Sequence, residues 1–308
     1  MNYYIGNTDL KWYQFLRSIN PEDINFWQPS GLTYFRAVGS GSPFLLKLKS
    51  PINKIAGIGF FTSQSILPID FAWEVFQERN GTDNFLEFYS KIKSYRDSNN
   101  PIEKNSNIGC IVLTNPIFFD QEDWIPLPTD WSKNIVQGKT YSTDDTYGFK
   151  YWSQIESLLR KYTQNQSYAN VNESSPLYAK YLTNVRIGQG AFRILVTDAY
   201  SRRCAISGEK TLPVLEAAHI KPYSSFGINS IENGLLLRAD LHKLFDIGYV
   251  TVTTEYSVEI SKRIKEEFEN GRDYYKYHGQ KLISVPNNNF ELPNKEFLTW
   301  HNNNVFRS

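Results

Sequence analysis

Two of the chain's four histidines, His219 and His242, fall in a stretch that also holds Glu216, Asn233 and Asp246. An imidazole exchanges its proton near neutral pH and is also a common metal ligand. Asp246 follows His242 by four residues, so on a helix both project from one face, the spacing that two ligands of a single ion require. Asp240 precedes His242 by two residues, about 200° around the helix, and is the poorer partner. In a strand, side chains alternate faces, which puts Glu216 on the same side as Ala218 with an arm long enough to reach an ion. Such a shell of imidazole and carboxylate suits one divalent ion, magnesium or manganese foremost, with nickel, cobalt or zinc also compatible. These residue types are those of metal-assisted hydrolysis.

In order, the stretch reads Cys204-Ala-Ile-Ser-Gly, Leu215-Glu-Ala-Ala-His219-Ile, Asn233-Gly-Leu-Leu-Leu-Arg-Ala-Asp-Leu-His242 and Phe245-Asp246. The run resembles the HNH, or ββα-metal, nuclease family, in which a hairpin carries the first histidine, a loop the asparagine and a following helix the second histidine. Phosphodiester hydrolysis needs a nucleophilic water, a group to take its proton, and positive charge on the developing phosphorane and leaving oxygen. The resemblance implies His219 as general base, Asn233 as the residue that holds the loop and so the imidazole, and His242 as a metal ligand beside Asp246. Many HNH sequences place an acid or histidine just before the base. Here that position is Ala218, which coordinates nothing, and Glu216 is the candidate replacement. Other members carry two CxxC pairs around a structural zinc. This chain has Cys204 with Ser207 and a cysteine-free run from Arg238 to Leu241, so no structural zinc is expected. His278 and His301 are read as structural.

Upstream, Arg186-Ile-Gly-Gln-Gly-Ala-Phe-Arg193 opens a stretch that ends at Arg202-Arg203, with four arginines against one acid, Asp198. Glycines at a helix start let backbone amides approach a phosphate, and arginines add charge-assisted contacts. Arg186, Gln189, Arg193, Arg202, Arg203 and Lys221 are the expected DNA contacts. The run from Arg186 to Asp246 resembles a bacterial HNH subgroup described as restriction endonucleases. Phe268-Glu-Asn-Gly-Arg-Asp-Tyr-Tyr and Glu296-Phe-Leu-Thr-Trp-His-Asn resemble that subgroup's tail, read as support for the nuclease core.

These residues must be positioned by elements that the periodicity outlines. Ala191 to Arg202 reads as a helix with Phe192, Leu195, Val196 and Ala199 on one side, and Ala239 to Asp246 as a short helix. Residues 163–180, rich in Asn, Ser and Gln, are the expected linker between a domain at 1–162 and one at 181–308. Upstream, Thr33 to Val38, Phe44 to Leu48, Ala56 to Phe61 and Gly109 to Leu113 read as strands, and Phe71 to Gln77 and Phe85 to Tyr95 as helices. Strands and helices without regular alternation imply an α+β chain: a curved sheet or barrel with helices, then the ββα-metal domain.

Hydrophobic residues at 41% and charged residues at 21% exclude global disorder or a fibrous chain. No run approaches the roughly 18 apolar residues of a membrane span, and the start of the chain has no signal-like pattern, so a cytoplasmic protein is expected. Cys110 and Cys204 are expected to be reduced and buried. With a net charge of +1, phosphate attraction must come from local patches.

An HNH core contacts mainly backbone around the cut, so base preference needs another module. Phe26-Trp-Gln-Pro-Ser-Gly, Tyr34-Phe-Arg-Ala-Val and Ala56-Gly-Ile-Gly-Phe-Phe resemble strands of a PUA-like fold of the EVE or ASCH type. In bacterial HNH fusions that resemblance implies a reader of modified cytosine. A flipped base needs stacking faces and hydrogen bonds to offset its extrusion. Trp27, Phe60, Trp73 and Trp131, with Gln137, are the expected pocket residues. The expected function is a modification-dependent restriction endonuclease acting on double-stranded DNA, as a homodimer where both strands are cut. The alternatives are an HNH-fold DNA-binding protein without cleavage and a nuclease without modification dependence.

Overall fold

The computed structural model describes residues 1–96, 103, 106–163, 187–225 and 227–308. The chain is α+β and divides into two compact units, Met1–Ala191 and Phe192–Ser308. The expected linker beyond residue 163 and the expected DNA contact Arg186 lie outside the described residues.

The first unit contains β1 (Asn2–Thr8), α1 (Leu10–Ile19), β2 (Asp23–Gln28), β3 (Pro43–Leu48), β4 (Lys54–Pro68), α2 (Ile69–Phe76), α3 (Phe85–Tyr95), β5 (Asn107–Phe118), β6 (Ile125–Pro126), β7 (Gly138–Ser142) and α4 (Thr146–Thr163). Among the described residues these strands form one sheet in the order β2-β5-β4-β3-β1-β7, with β6 on β4. The pairing of β1 with β3 is parallel and the others are antiparallel.

The register of β4 against β5 shifts between Ile58 and Phe60 and again between Phe61 and Ser63. Such bulges bend a strand and raise its twist, which curves the sheet. Alternation then sends successive side chains into two cores. Tyr3, Ile5, Leu45, Ile58 and Phe60 pack with Trp152 and Ile155 of α4. Tyr4, Phe44 and Leu46 pack with Trp12, Tyr13 and Leu16 of α1. Helix α1 starts where Asp9 accepts the Trp12 backbone N–H at 2.8 Å, an N-cap that satisfies an otherwise orphan donor.

The expected strands at 44–48, 56–61 and 109–113 lie inside β3, β4 and β5, and the two expected helices coincide with α2 and α3. Thr33 to Val38 is not a strand. There Gln64 supplies what a ladder would: its carbonyl accepts the Phe35 N–H and its amide donates to the Thr33 carbonyl. Tyr34 is left well exposed.

Helix α5 (Gln189–Ala199) leads into the second unit, followed by β8 (Leu215–His219), β9 (Gly234–Arg238), α6 (Ala239–Asp246), β10 (Val250–Val252), β11 (Val258–Ile260), α7 (Arg263–Phe268), α8 (Arg272–Tyr275) and α9 (Lys295–Asn304). Phe192 and Val196 of α5 are buried as expected, but Ile194 is buried and Leu195 only half-buried, because two faces of this helix are covered. Strands β8 and β9 pair antiparallel, as do β10 and β11. The C-terminal α9 inserts His301, whose ring stacks on Phe245 of α6 with centroids 3.7 Å apart. Its Nε2 donates to the Phe245 carbonyl at 3.1 Å and its Nδ1 lies 2.8 Å from the Thr251 hydroxyl. Among the described residues, no helix is long and apolar enough to cross a membrane.

Candidate active site

The β8–β9 hairpin pairs Leu215 with Arg238 and His219 with Gly234, and both its faces are covered, Leu215 and Leu236 being buried on one and Ala218, Leu235 and Leu237 on the other. His219 is the last residue of β8, so its direction depends on the loop that follows. That loop is closed by Asn233, which is fully buried. The Asn233 Oδ1 accepts the Lys221 N–H at 2.9 Å, and its Nδ2 donates to the carbonyls of Lys221 at 2.9 Å and Ile228 at 2.8 Å. One amide side chain therefore replaces three backbone bonds that the loop cannot make with itself.

Gly234 follows for a steric reason. A Cβ there would sit 2.4 Å from Val196 Cγ2, so only glycine lets α5 lie directly on the start of β9. The same approach puts the Phe192 ring over the His219 imidazole, stacked at 4.0 Å and 12°. The imidazole Nε2 lies 2.7 Å from Asn229 Oδ1. Burial pushes the His219 pKa below the ordinary histidine value, further lowered by His242, while the Asn229 hydrogen bond and Asp246 oppose the shift. His219 is neutral at neutral pH, the state a general base requires.

Helix α6 buries Leu241 and Phe245 and leaves His242 and Asp246 on its more open side. The His242 Nδ1 meets Glu216 Oε2 at 2.6 Å, and its Nε2 faces Asp246 Oδ2 at 3.4 Å. Burial lowers the His242 pKa, but the bonds to Asp246 and Glu216 outweigh it and the net shift is upward. Asp240 is turned away into a two-point ion pair with Arg238, at 2.6 and 2.7 Å. Cys204, buried and free, accepts N–H groups of Ser207 and Arg238 on its sulfur, each at 3.3 Å, tying the turn before the hairpin to the end of β9.

A divalent ion needs donors that converge on one point. Among the described residues, no group of three or more His, Cys, Asp or Glu side chains is arranged to hold one. The reason is the geometry at His242: Glu216 and Asp246 occupy opposite ring nitrogens and so do not converge on one point. The set still fits in a different way. A carboxylate on one nitrogen of a ligating histidine fixes its tautomer and strengthens the other nitrogen as a donor. That leaves His242 Nε2 and Asp246 as the pair able to share an ion, with Glu216 supporting His242 from behind.

Of the expected DNA contacts, Gln189 is exposed in the first turn of α5, and Arg193, Arg202 and Arg203 are half-buried. Arg202 is ion-paired with Asp198 at 3.4 Å. Lys221, whose backbone N–H and carbonyl are held by Asn233, has its ammonium 5.7 Å above the Trp300 ring.

The first unit contains a cavity of about 290 Å³ whose walls include Tyr4, Trp12, Phe26, Trp27 and Tyr95. This approaches the low end of the roughly 300–1,000 Å³ of small-molecule sites. Trp27 and Gln137, two of the expected pocket residues, line it. Phe60, Trp73 and Trp131 do not. Phe60 is buried in the α4-side core, the wrong face of β4. Trp73 packs on Phe85 and Phe88 of α3, and Trp131 covers the α4-side core with the Lys47 ammonium 5.5 Å above its ring. Beyond Gln137, the polar wall includes residues the sequence did not single out. Asn7 donates from Nδ2 to the carbonyls of Ile135 at 2.9 Å and Val136 at 2.8 Å, which fixes the direction of its Oδ1. Among the described residues, that buried oxygen and Gln28 Oε1 have no hydrogen-bond partner. Trp27 is held by its indole N–H donating to the Asn80 carbonyl at 3.0 Å. Lys49 Nζ lies 3.0 Å from the Tyr95 hydroxyl and 4.5 Å from its ring centroid.

Residues 204–253 match the HNH endonuclease family. No curated protein matches the chain. Among solved structures, the chain is similar to ASCH from Zymomonas mobilis, at 8% identity and a TM-score of 0.34 over 48% of this chain and 94% of that one. It is also similar to the modification-dependent TagI restriction endonuclease, at 11% identity and a TM-score of 0.27 over 86% of this chain and 61% of that one.

Proposed function

We propose, from the HNH endonuclease domain at residues 204–253, that the protein hydrolyses DNA containing modified bases, modified cytosine foremost. The observation that carries the cleavage half is geometric: His219 ends the hairpin strand, with the His242 and Asp246 pair on the following helix, and burial lowers the His219 pKa. His219 takes a proton from the attacking water. His242 Nε2 and Asp246 would hold one divalent ion, which supplies positive charge to the phosphorane and leaving oxygen when bound. Glu216 orients His242, and Asn233 keeps the loop closed so that His219 stays at the end of its strand. Gln189, Arg193, Arg202, Arg203 and Lys221 contact the DNA backbone, and Arg186 joins them in this reading.

The cavity of the first unit receives the flipped base. Its aromatic walls provide stacking faces, and the orphan oxygen of Asn7 awaits a donor such as an exocyclic amino group. Each chain carries one such nuclease site, so cutting both strands calls on two copies of the chain.

The deciding experiment is cleavage of matched unmodified, 5-methylcytosine and 5-hydroxymethylcytosine duplexes with magnesium or manganese, by wild type and His219→Ala. Modified-only cutting that the substitution abolishes is the expected result. Equal cutting of all three duplexes overturns the reader. No cutting with either ion overturns the cleavage reading in favour of a DNA-binding protein.

A further inference from the structure

We infer that Asn229 is the positioning residue that sets the tautomer and direction of the His219 imidazole, leaving Nδ1 as its proton-accepting atom. The inference rests on the endonuclease reading for its consequence, but its geometry stands by itself. An amide oxygen only accepts, so at 2.7 Å from Asn229 Oδ1 the His219 Nε2 carries the ring proton. A neutral imidazole has one proton, so Nδ1 is left with a free lone pair. The Phe192 ring, stacked on the imidazole at 4.0 Å, covers one face and opposes rotation.

Asn229 is itself placed by the motif asparagine. Asn233 Nδ2 holds the carbonyl of Ile228, the residue immediately before Asn229, at 2.8 Å. The two asparagines therefore act in series: Asn233 closes the loop on backbone atoms, and the closed loop delivers the Asn229 amide to the ring. This follows the logic by which a hydrogen-bonded third residue orients a catalytic imidazole, with a neutral amide where a carboxylate often stands. A neutral partner stabilises the imidazolium less than a carboxylate would, which keeps the base deprotonated at lower pH. The charged and titratable groups that act on His219 from the neighbouring helix α6 are His242 and Asp246.

The test combines long-range nitrogen-15 NMR of the histidine rings in the full chain at pH 7.5 with single-turnover DNA cleavage by wild type, Asn229→Ala and Asn229→Asp. Expected in wild type is the Nε2–H tautomer at His219. Asn229→Ala gives mixed tautomers and a cleavage rate lower by roughly 10- to 100-fold, less than the roughly 10²- to 10⁴-fold contribution of the base itself, with KM unchanged. Asn229→Asp keeps the tautomer, recovers rate, and moves the acid limb of the pH–rate profile upward, which a merely structural residue would not do. An Nδ1–H tautomer in wild type, or wild-type rate and pH profile in Asn229→Ala, overturns the inference. Should wild type cut no DNA, the endonuclease reading falls, while the NMR result still decides whether Asn229 sets the tautomer. Should Asn229→Ala fail to fold, the wild-type spectrum and Asn229→Asp decide.

Discussion

Glu216 and His242 meet at 2.6 Å through Nδ1, so the imidazole presents its other nitrogen to Asp246. In the proposed reading the strand contributes a support and the helix contributes the donors. Supporting carboxylates of this kind typically change metal affinity by about 10- to 100-fold. Glu216→Gln is expected to weaken manganese binding by that factor in calorimetric titration, and His242→Ala to abolish it. Unchanged affinity in Glu216→Gln would exclude the supporting role.

His219 makes a different prediction. It is outside the donor pair, so His219→Ala should leave manganese affinity within about twofold while cleavage falls by roughly 10²- to 10⁴-fold. Its pKa is lowered in the fold, so the unprotonated base persists as pH drops below the ordinary histidine range. The kcat/KM profile should be flat through pH 7 and decline only below about 6.5. An acid limb centred above pH 7 would contradict the buried, neutral state.

Gly234 tests the packing that brings Phe192 over the imidazole. Gly234→Ala inserts a Cβ 2.4 Å from Val196 Cγ2, an overpacking expected to cost about 1–3 kcal/mol. Adding Val196→Ala should recover part of that loss, because the colliding methyl is removed. Urea unfolding of the single and double variants measures both. Equal stability of Gly234→Ala and wild type would show that α5 can move aside.

His301 gives the fold a pH dependence of known sign. Burial pushes its pKa down to about 4, with the Phe245 carbonyl bond opposing. Above its unfolded value of about 6.5 it is neutral in both states and costs nothing. As pH falls from about 6.5 to 4 the unfolded chain takes up the proton and the native one does not, so stability declines, by about 3 kcal/mol in all. His301→Asn, though less stable overall, should lose this component in denaturation curves measured between pH 4 and 7.

Trp27 tests the cavity. Aromatic stacking on an extruded base contributes roughly 1–3 kcal/mol. Trp27→Ala should weaken binding to modified duplexes by the corresponding factor of roughly 5 to 150, while affinity for unmodified duplexes is unchanged in fluorescence anisotropy. Equal loss on both duplexes would assign Trp27 to the core alone.

The sequence by itself determined the order of His219, Asn233 and His242, the hairpin and helix that carry them, and the shared face of His242 and Asp246. The helix and its shared face are consequences of local periodicity, about 3.6 residues per turn, whereas the hairpin under His219 is what the resemblance to the HNH family implied. Only the tertiary structure decided that Glu216 takes the far nitrogen of His242, that Asn229 reaches His219, and that Trp27 faces the cavity while Phe60, Trp73 and Trp131 do not. The loop between β8 and β9 has no repeat from which a contact ten residues away can be read. The bulges in β4 reset the alternation of faces along one strand. Which side of that strand meets which core depends on where α1 and α4 pack, and that is settled by chain segments far apart in sequence.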